Sequence, residues 1–293
     1  MAILNFGSIN IDLIYAVDHQ PKPGETITSS DLTRGLGGKG ANMSIAAAAV
    51  GADVRHIGAI GGDGLWTREH LARRGVNVDQ VEVIDTPTGH AIIVVDQAGE
   101  NVITLFAGAN RALSGERVLS AIQAADRGDW LLVQNETAHV VEAVAAAKAA
   151  GLRVAYAAAP FDPVVTKALL PSLDLLAVNQ IEAGQLEQAT GIPVTDLPVG
   201  RIIVTRGGKG ASLFTGTDEI REPAVETSVV DTTGAGDTFL GVFLGALSQG
   251  ASDGDALKLA SHVAAIQVSR ASAAAAIPTI DEVNELTLTS KAP

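Results

Sequence analysis

The stretch Leu175-Leu176-Ala177-Val178-Asn179-Gln180-Ile181-Glu182 joins four consecutive apolar residues to a polar turn and the start of a helical pattern. A strand with one face in water alternates apolar and polar residues, so an unbroken apolar run reads as a strand covered on both faces. Short β-type runs also occur at 3–6, 54–57, 130–133 and 202–205, several of them almost wholly apolar. Each is followed by a longer helical pattern or a glycine-rich turn, with helices expected over 42–50, 137–150 and 234–249. That alternation is the sequence form of an α/β fold, with a doubly wound, mostly parallel central sheet flanked by helices.

Two regions break the alternation. Residues 11–17 with 26–33, and 91–95 with 102–106 across Asp96-Gln97-Ala98-Gly99-Glu100-Asn101, read as antiparallel hairpins. They predict a small β sheet beside the main one, from segments near 11–33 and 89–107, placed to cover a ligand or to meet a second copy of the chain. No linker or repeat divides the sequence, so 1–293 is expected to form one domain.

A formal net charge of -13 without any Lys/Arg cluster argues against a nucleic-acid partner. The absence of Cys removes disulfides, thiolate metal sites and a Cys nucleophile, and fits a reducing compartment. Met1-Ala2-Ile3-Leu4-Asn5 lacks the basic start and apolar run of a signal peptide. The longest apolar tract, 238–252, is broken by Gly, Ser and Gln, so no membrane association is expected and the cytoplasm is the expected location.

Two glycine loops carry the chemistry. Gly35-Leu36-Gly37-Gly38-Lys39-Gly40-Ala41-Asn42 runs into a helical stretch, where small residues let backbone amides approach a ligand. Its spacing formally matches a dinucleotide fingerprint, with Asp63 as the ribose-binding acid of a nicotinamide oxidoreductase. The loop does not open the first βα unit, however, and a permissive turn is the plainer alternative.

In Val230-Asp231-Thr232-Thr233-Gly234-Ala235-Gly236-Asp237-Thr238-Phe239, a strand-like run meets a turn that opens the helix ending near 249. Free amides there form an anion hole suited to a transferring phosphoryl group. Asp237 is then either a base or an ordinary first-turn carboxylate. Asn179 and Glu182, one helical turn apart, either hold waters of Mg2+ or form a capping box. Thr205-Arg206-Gly207-Gly208-Lys209-Gly210 either wraps a nucleotide or turns one strand into the next. Neither Gly-Lys pair is followed by Ser or Thr, so there is no Walker A loop, and no nucleophile elbow or HExxH zinc motif occurs.

Together, Gly37-Gly38-Lys39-Gly40-Ala41-Asn42 and Asp231-Thr232-Thr233-Gly234-Ala235-Gly236-Asp237-Thr238-Phe239 resemble the two signatures of the ribokinase (PfkB) family of carbohydrate and nucleoside kinases. The likeness runs from Gly7-Ser8-Ile9-Asn10-Ile11-Asp12 to about Pro278. It implies that the hairpins are a lid over the sugar and that ATP lies along the C-terminal half of the sheet. Asn10, Asp12, Gly38, Lys39, Asn42 and Glu136 would bind the sugar, with Asp12 accepting from a vicinal diol. Asn179, Thr205, Gly207, Gly210 and Gly236 would contact the nucleotide, and Glu182 would act on Mg2+ through water. Asp237 would be the base, with Gly234, Ala235, Gly236 and Asp237 supplying the anion hole. The expected reaction is phosphorylation of a pentose primary hydroxyl, that of ribose first and a nucleoside or another carbohydrate as the alternative, in a chain that pairs through its lid.

The resemblance also implies a K+ ion near the second signature, held largely by backbone oxygens, and Asp231 and Thr233 match that site. Ser272 stands where Gly is common and Ala276 where Ser is common, which departs from the pattern. His90 replaces a small apolar lid residue, so it or its neighbour is expected to face the sugar.

Overall fold

In the computed structural model, which describes residues 1–289, the chain opens with β1 (Ile3–Phe6), β2 (Asn10–Ala16), β3 (Asp31–Gly37), α1 (Lys39–Ala49) and β4 (Val54–Gly61). It continues through α2 (Leu65–Arg73), β5 (Asn77–Ile84), β6 (Gly89–Val95), β7 (Asn101–Phe106) and α3 (Gly115–Gln123). Next come β8 (Trp130–Val133), α4 (Val140–Ala150), β9 (Arg153–Ala157), α5 (Pro163–Leu169), β10 (Leu175–Asn179) and α6 (Gln180–Thr190). The last elements are β11 (Arg201–Thr205), β12 (Ala211–Thr215), β13 (Asp218–Glu222), α7 (Ala235–Ser248), α8 (Asp253–Val268) and α9 (Ile280–Thr289).

Nine strands form the main sheet in the order β13-β12-β11-β10-β9-β8-β1-β4-β5, parallel except where β12 pairs with β11 and β13. The apolar runs do what their composition dictates. Ile3 of β1, Trp130 and Leu132 of β8 and Ile203 of β11 point into the core beneath α1, α7 and α8. Their neighbours Leu4, Phe6, Leu131, Val133, Ile202 and Val204 point into the opposite core, beneath α3 to α6. Burying Phe6 and Phe243 contributes roughly 2–3 kcal/mol each.

The strand order reverses between β1 and β8, whose next helices lie on opposite faces. Such a switch opens a crevice at the strands' C-terminal ends, and Gly7-Ser8 and Gln134-Asn135-Glu136 stand at it. The second sheet, β3-β2-β6-β7, rises from the same place. Both expected hairpins are antiparallel, and they join along β2 and β6, which run parallel.

Three sequence expectations need correction. The strand paired with β2 lies at Asp31–Gly37, not 26–33, because its ladder runs on into the glycine loop. Residues 229 and 230 form no strand: both valines are exposed, in an extended segment leading to α7. Gly35 and Gly37 belong to a strand of the small sheet, and the Asp63 carboxylate is occupied by the Thr88 amide and hydroxyl. The dinucleotide alternative thereby loses both its strand and its acid.

Candidate active site

The first glycine loop is shaped by close backbone approach. A Cβ on Gly40 would lie 2.5 Å from the Gly7 Cα and the Ser8 nitrogen, and one on Gly37 would overlap the Asp12 carboxylate. Gly38 caps α1 at φ 95°, a left-handed conformation that disfavours side chains. The first amides of α1 are satisfied from outside the helix: Lys39 N donates to Glu136 Oε2 (3.2 Å) and Ala41 N to Ser8 O (2.9 Å). The Ser8 hydroxyl donates to the same Glu136 oxygen. Glu136 thus fixes the loop from the turn after β8 while its charge faces Asp12 and Lys39.

Register sorts the lid. Asn10 pairs with Gly37 and Gly89, and Asp12 with Gly35 and Ala91, so these six share one face of the small sheet. Four glycine or alanine positions around two polar ones leave room above them. His90 pairs with Ile11 on the opposite face and stacks on Phe106, ring centroids 5.0 Å apart. The neighbour Ala91, not His90, is therefore the residue beside Asp12.

The second glycine loop delivers Asp237. Gly234 caps α7 at φ 77°. Ala235 N donates to Thr232 O and Thr238 N to Gly234 O, which leaves the amides of Gly234, Gly236 and Asp237 without partners among the described residues. Three of the four expected amides are free. Asp237 is buried, and Asn42 Nδ2 donates to its Oδ2 across 3.0 Å. The other end of that amide, Asn42 Oδ1, is buried without a partner among the described residues.

These contacts follow from the helices below. A Cβ on Gly241 would lie 2.5 Å from Met43 O, and one on Gly245 would lie 3.0 Å from Ala47 O. Glycine on one helix and alanine on the other let α1 and α7 touch backbone to backbone, which sets Asn42 against Asp237.

Charge is concentrated here. Burial pushes the Asp237 carboxyl up to about 6, opposed by the Lys39 charge and the Asn42 hydrogen bond. Burial, reinforced by the Glu136 charge, also pushes Asp12 up to about 6. The charge of Asp237, ahead of those of Glu136 and Glu182, holds Lys39 above the usual lysine value. Glu182 is raised by burial.

Asn179 and Glu182 form the capping box of α6: Asn179 Oδ1 accepts from the Ile181 and Glu182 amides, and Asn179 N donates to Glu182 Oε2 (2.8 Å). The capping alternative is realised, and Glu182 Oε1 retains its lone pairs. A trench of about 200 Å³ runs from Lys39 and Asp237 past Glu182 and Asn179 to Thr205. There it meets a larger cleft of about 530 Å³ rimmed by Gly207 and Gly210 and floored by Val225, Val229, Ala264 and Val268. Gly207 and Gly210 have φ of 54° and 85°, and the loop between them also turns β11 into β12.

Comparison with known proteins gives this geometry a family. The profile of the pfkB family carbohydrate kinases matches residues 2–280. The chain belongs to that family. This pfkB chain is 33% identical to a ribokinase of Haemophilus influenzae over 95% of itself and 96% of that protein. It is 32% identical to a deoxyribokinase of Salmonella typhi over 97% of itself and 98% of that protein. The structure of Arabidopsis thaliana ribokinase complexed with ribose and ATP superposes with a TM-score of 0.85 at 30% identity, covering 97% of this chain and 98% of the other. As a pfkB carbohydrate kinase the protein is a phosphotransferase acting on a hydroxyl group.

The pfkB site has supports that no motif announced. Asn110 sits under the lid, where its Oδ1 accepts from Ile9 N (2.9 Å) and its Nδ2 donates to Asn10 Oδ1 (2.7 Å). Beneath Gly7 and Gly40, Gln134 Nε2 donates to Asn5 Oδ1, Asn5 Nδ2 to Gly40 O and Ser44 Oγ, and the His56 ring bridges Ser44 Oγ and Gly7 O. Burial pushes His56 down to about 4, so it is neutral in this network. The cleft floor also escaped the sequence reading, since Ala224 to Val229 are coil without a motif. Asn5, unexpected among the apolar residues of β1, was the readable signal for the network.

The loop before α7 is closed by internal donors. Asp231 Oδ1 accepts from Thr233 N (2.8 Å), Asp231 Oδ2 from Ser272 N (3.1 Å), and Thr233 O from Gln267 Nε2 (2.6 Å). Ser272 has φ 88°, the conformation that favours the glycine more common there. Among the described residues no helix is long and apolar enough to cross a membrane.

Proposed function

We propose that this sugar kinase transfers the γ-phosphate of ATP to a pentose primary hydroxyl, that of ribose, with Asp237 as base. The observation that carries the proposal is the position of Asp237, beside unpartnered α7 amides and at the end of a trench that leads into the larger cleft. The relatives support the ligands: one binds ribose and ATP, and one is named ribokinase.

The apolar floor and glycine rim of the larger cleft suit a flat base and a close-lying phosphate chain. Asp12 would accept from two neighbouring sugar hydroxyls, Asn42 Oδ1 from a third, and Lys39 would face the transferred phosphoryl group. The acceptor hydroxyl gives its proton to Asp237. Its oxygen then bonds to the γ-phosphorus as the bond to the bridging oxygen breaks, yielding the sugar phosphate and ADP. The amides of Gly234, Gly236 and Asp237 stabilise the charge on the moving group. A base close to neutral is well matched to this work. Glu182, through Oε1 and water, is the residue to hold Mg2+, which when bound neutralises charge on the β- and γ-phosphates.

A coupled ADP-release assay over pentoses, hexoses and nucleosides tests the assignment. Ribose is expected to give the highest kcat/KM. Preference for a nucleoside would move the acceptor, and no turnover on any member would overturn the kinase reaction. 2-Deoxyribose is the sharpest comparator, because it offers Asp12 one hydroxyl fewer and a relative is a deoxyribokinase.

The same proposal includes pairing through the lid. Strand β7 is one edge of the small sheet, and Val102, Ile103, Leu105 and Phe106 are all at least 47% exposed. An apolar open edge calls for a cover. Sedimentation should show a dimer that Leu105→Glu converts to a monomer.

A further inference from the structure

We infer that the Gln267 side chain takes the place of the monovalent cation beside the loop before α7, so that phosphoryl transfer by this chain needs no K+. The inference rests on the kinase reaction proposed above. A cation requires oxygen lone pairs turned toward it. Here the Thr233 carbonyl already accepts from Gln267 Nε2 at 2.6 Å, and both Asp231 oxygens accept from backbone amides. Ser272 directs its N–H at Asp231, and Ala276 offers a methyl group where the resemblance expects a hydroxyl. The donor set as folded does not fit the ion. Gln267 Oε1 is itself buried and without a partner among the described residues, and a single side-chain oxygen does not make a coordination shell.

What replaces the ion is visible in the same contacts. Gln267 is fully buried in the last turn of α8. Its amide places a fixed partial positive charge against the Thr233 carbonyl. Val230 N and Asp231 N both donate to Val268 O, the residue after Gln267. Three hydrogen bonds therefore tie the loop to the end of α8, the last of them, at Thr233, one residue before Gly234 and the unpartnered amides of α7. Gln267 touches neither substrate in the proposed reaction; it is a positioning residue.

The test measures turnover and thermal unfolding in choline, Na+ and K+ chlorides at constant ionic strength. In wild-type protein kcat should change by less than about twofold between choline and K+, and K+ should give no rise in melting temperature over choline. A larger activation by K+, or a K+-specific rise in melting temperature, overturns the inference. Gln267→Glu replaces the donor with an acceptor facing Thr233 O. It should lose kcat by about tenfold or more in choline with little change in sugar KM, and regain turnover when K+ is supplied. A variant with wild-type kcat in choline would show that Gln267 is not the positioning donor. Absence of turnover on every acceptor in every salt would count against the kinase reaction instead, and the melting comparison would still decide the cation.

Discussion

Asn42 Nδ2 donates to Asp237 Oδ2 across 3.0 Å, joining residues 195 positions apart in the sequence. The bond closes the gap between the two glycine loops. It also orients the carboxylate, since one oxygen is held by the amide and the other accepts from none of the described residues.

Asp237→Asn removes the proposed base and keeps the shape. Turnover should fall by about 100- to 10,000-fold, with sugar and nucleotide binding, read by calorimetry, close to wild type. Retained turnover would remove Asp237 from the role of base.

The pH dependence follows from the same residue. Acting as the proposed base, a group with a value near 6 must first lose its proton, so kcat/KM should decline as pH falls through about 6. Stability runs the other way for this group. The folded value lies above the ordinary 3.8, so the native state keeps a proton that the unfolded chain releases, and stability falls as pH rises through that window. Asp237→Asn should therefore melt higher than wild type at pH about 8, and the difference should close by pH about 4. A variant that melts lower at high pH would contradict the burial cost.

Two glycines separate folding from chemistry. A Cβ on Gly236 would meet nothing within 4 Å, whereas one on Gly40 would strike the Gly7 and Ser8 backbone. Gly236→Ala should keep its melting temperature and lose kcat, because the methyl group would enter the space proposed for phosphate. Gly40→Ala should lose about 1–3 kcal/mol of stability and weaken sugar binding together.

Glu182→Gln retains an oxygen for the Asn179 amide and loses the charge. Its melting temperature should be close to wild type, while the Mg2+ concentration for half-maximal activity rises. Unchanged Mg2+ dependence would leave Glu182 with the cap alone.

Asn110→Ala strips Ile9 N and Asn10 Oδ1 of their partner in a buried place. A stability loss of about 1–3 kcal/mol is expected, with sugar KM raised more than kcat is lowered. Kinetics and chemical denaturation together check it.

The mostly apolar runs made the main sheet legible, because a strand buried on both faces admits a polar residue only where a partner is built for it, as for Asn5 and His56. The glycine loops were legible for a related reason: Gly37 and Gly40 stand where another backbone or carboxylate fills the space of a side chain. What could not be read was set by pairing at a distance. The register of β2 against β3 and β6 decides that Ala91 rather than His90 lies beside Asp12, and nothing local to Thr88-Gly89-His90-Ala91 encodes it. Asn110 and Gln267 were hidden likewise, since each acts on backbone groups from segments far away in sequence.

The backbone contact of Gly241 and Gly245 with α1 also bears on how such a kinase can diversify. Side chains at an ordinary helix interface exchange volume with one another and let the helices drift. Two backbones in contact have nothing to exchange, so a change there displaces both glycine loops at once. A descendant seeking a different acceptor would find its freedom in the lid, around Gly35, Gly89 and Ala91, while the spacing of Asn42 and Asp237 stayed inherited.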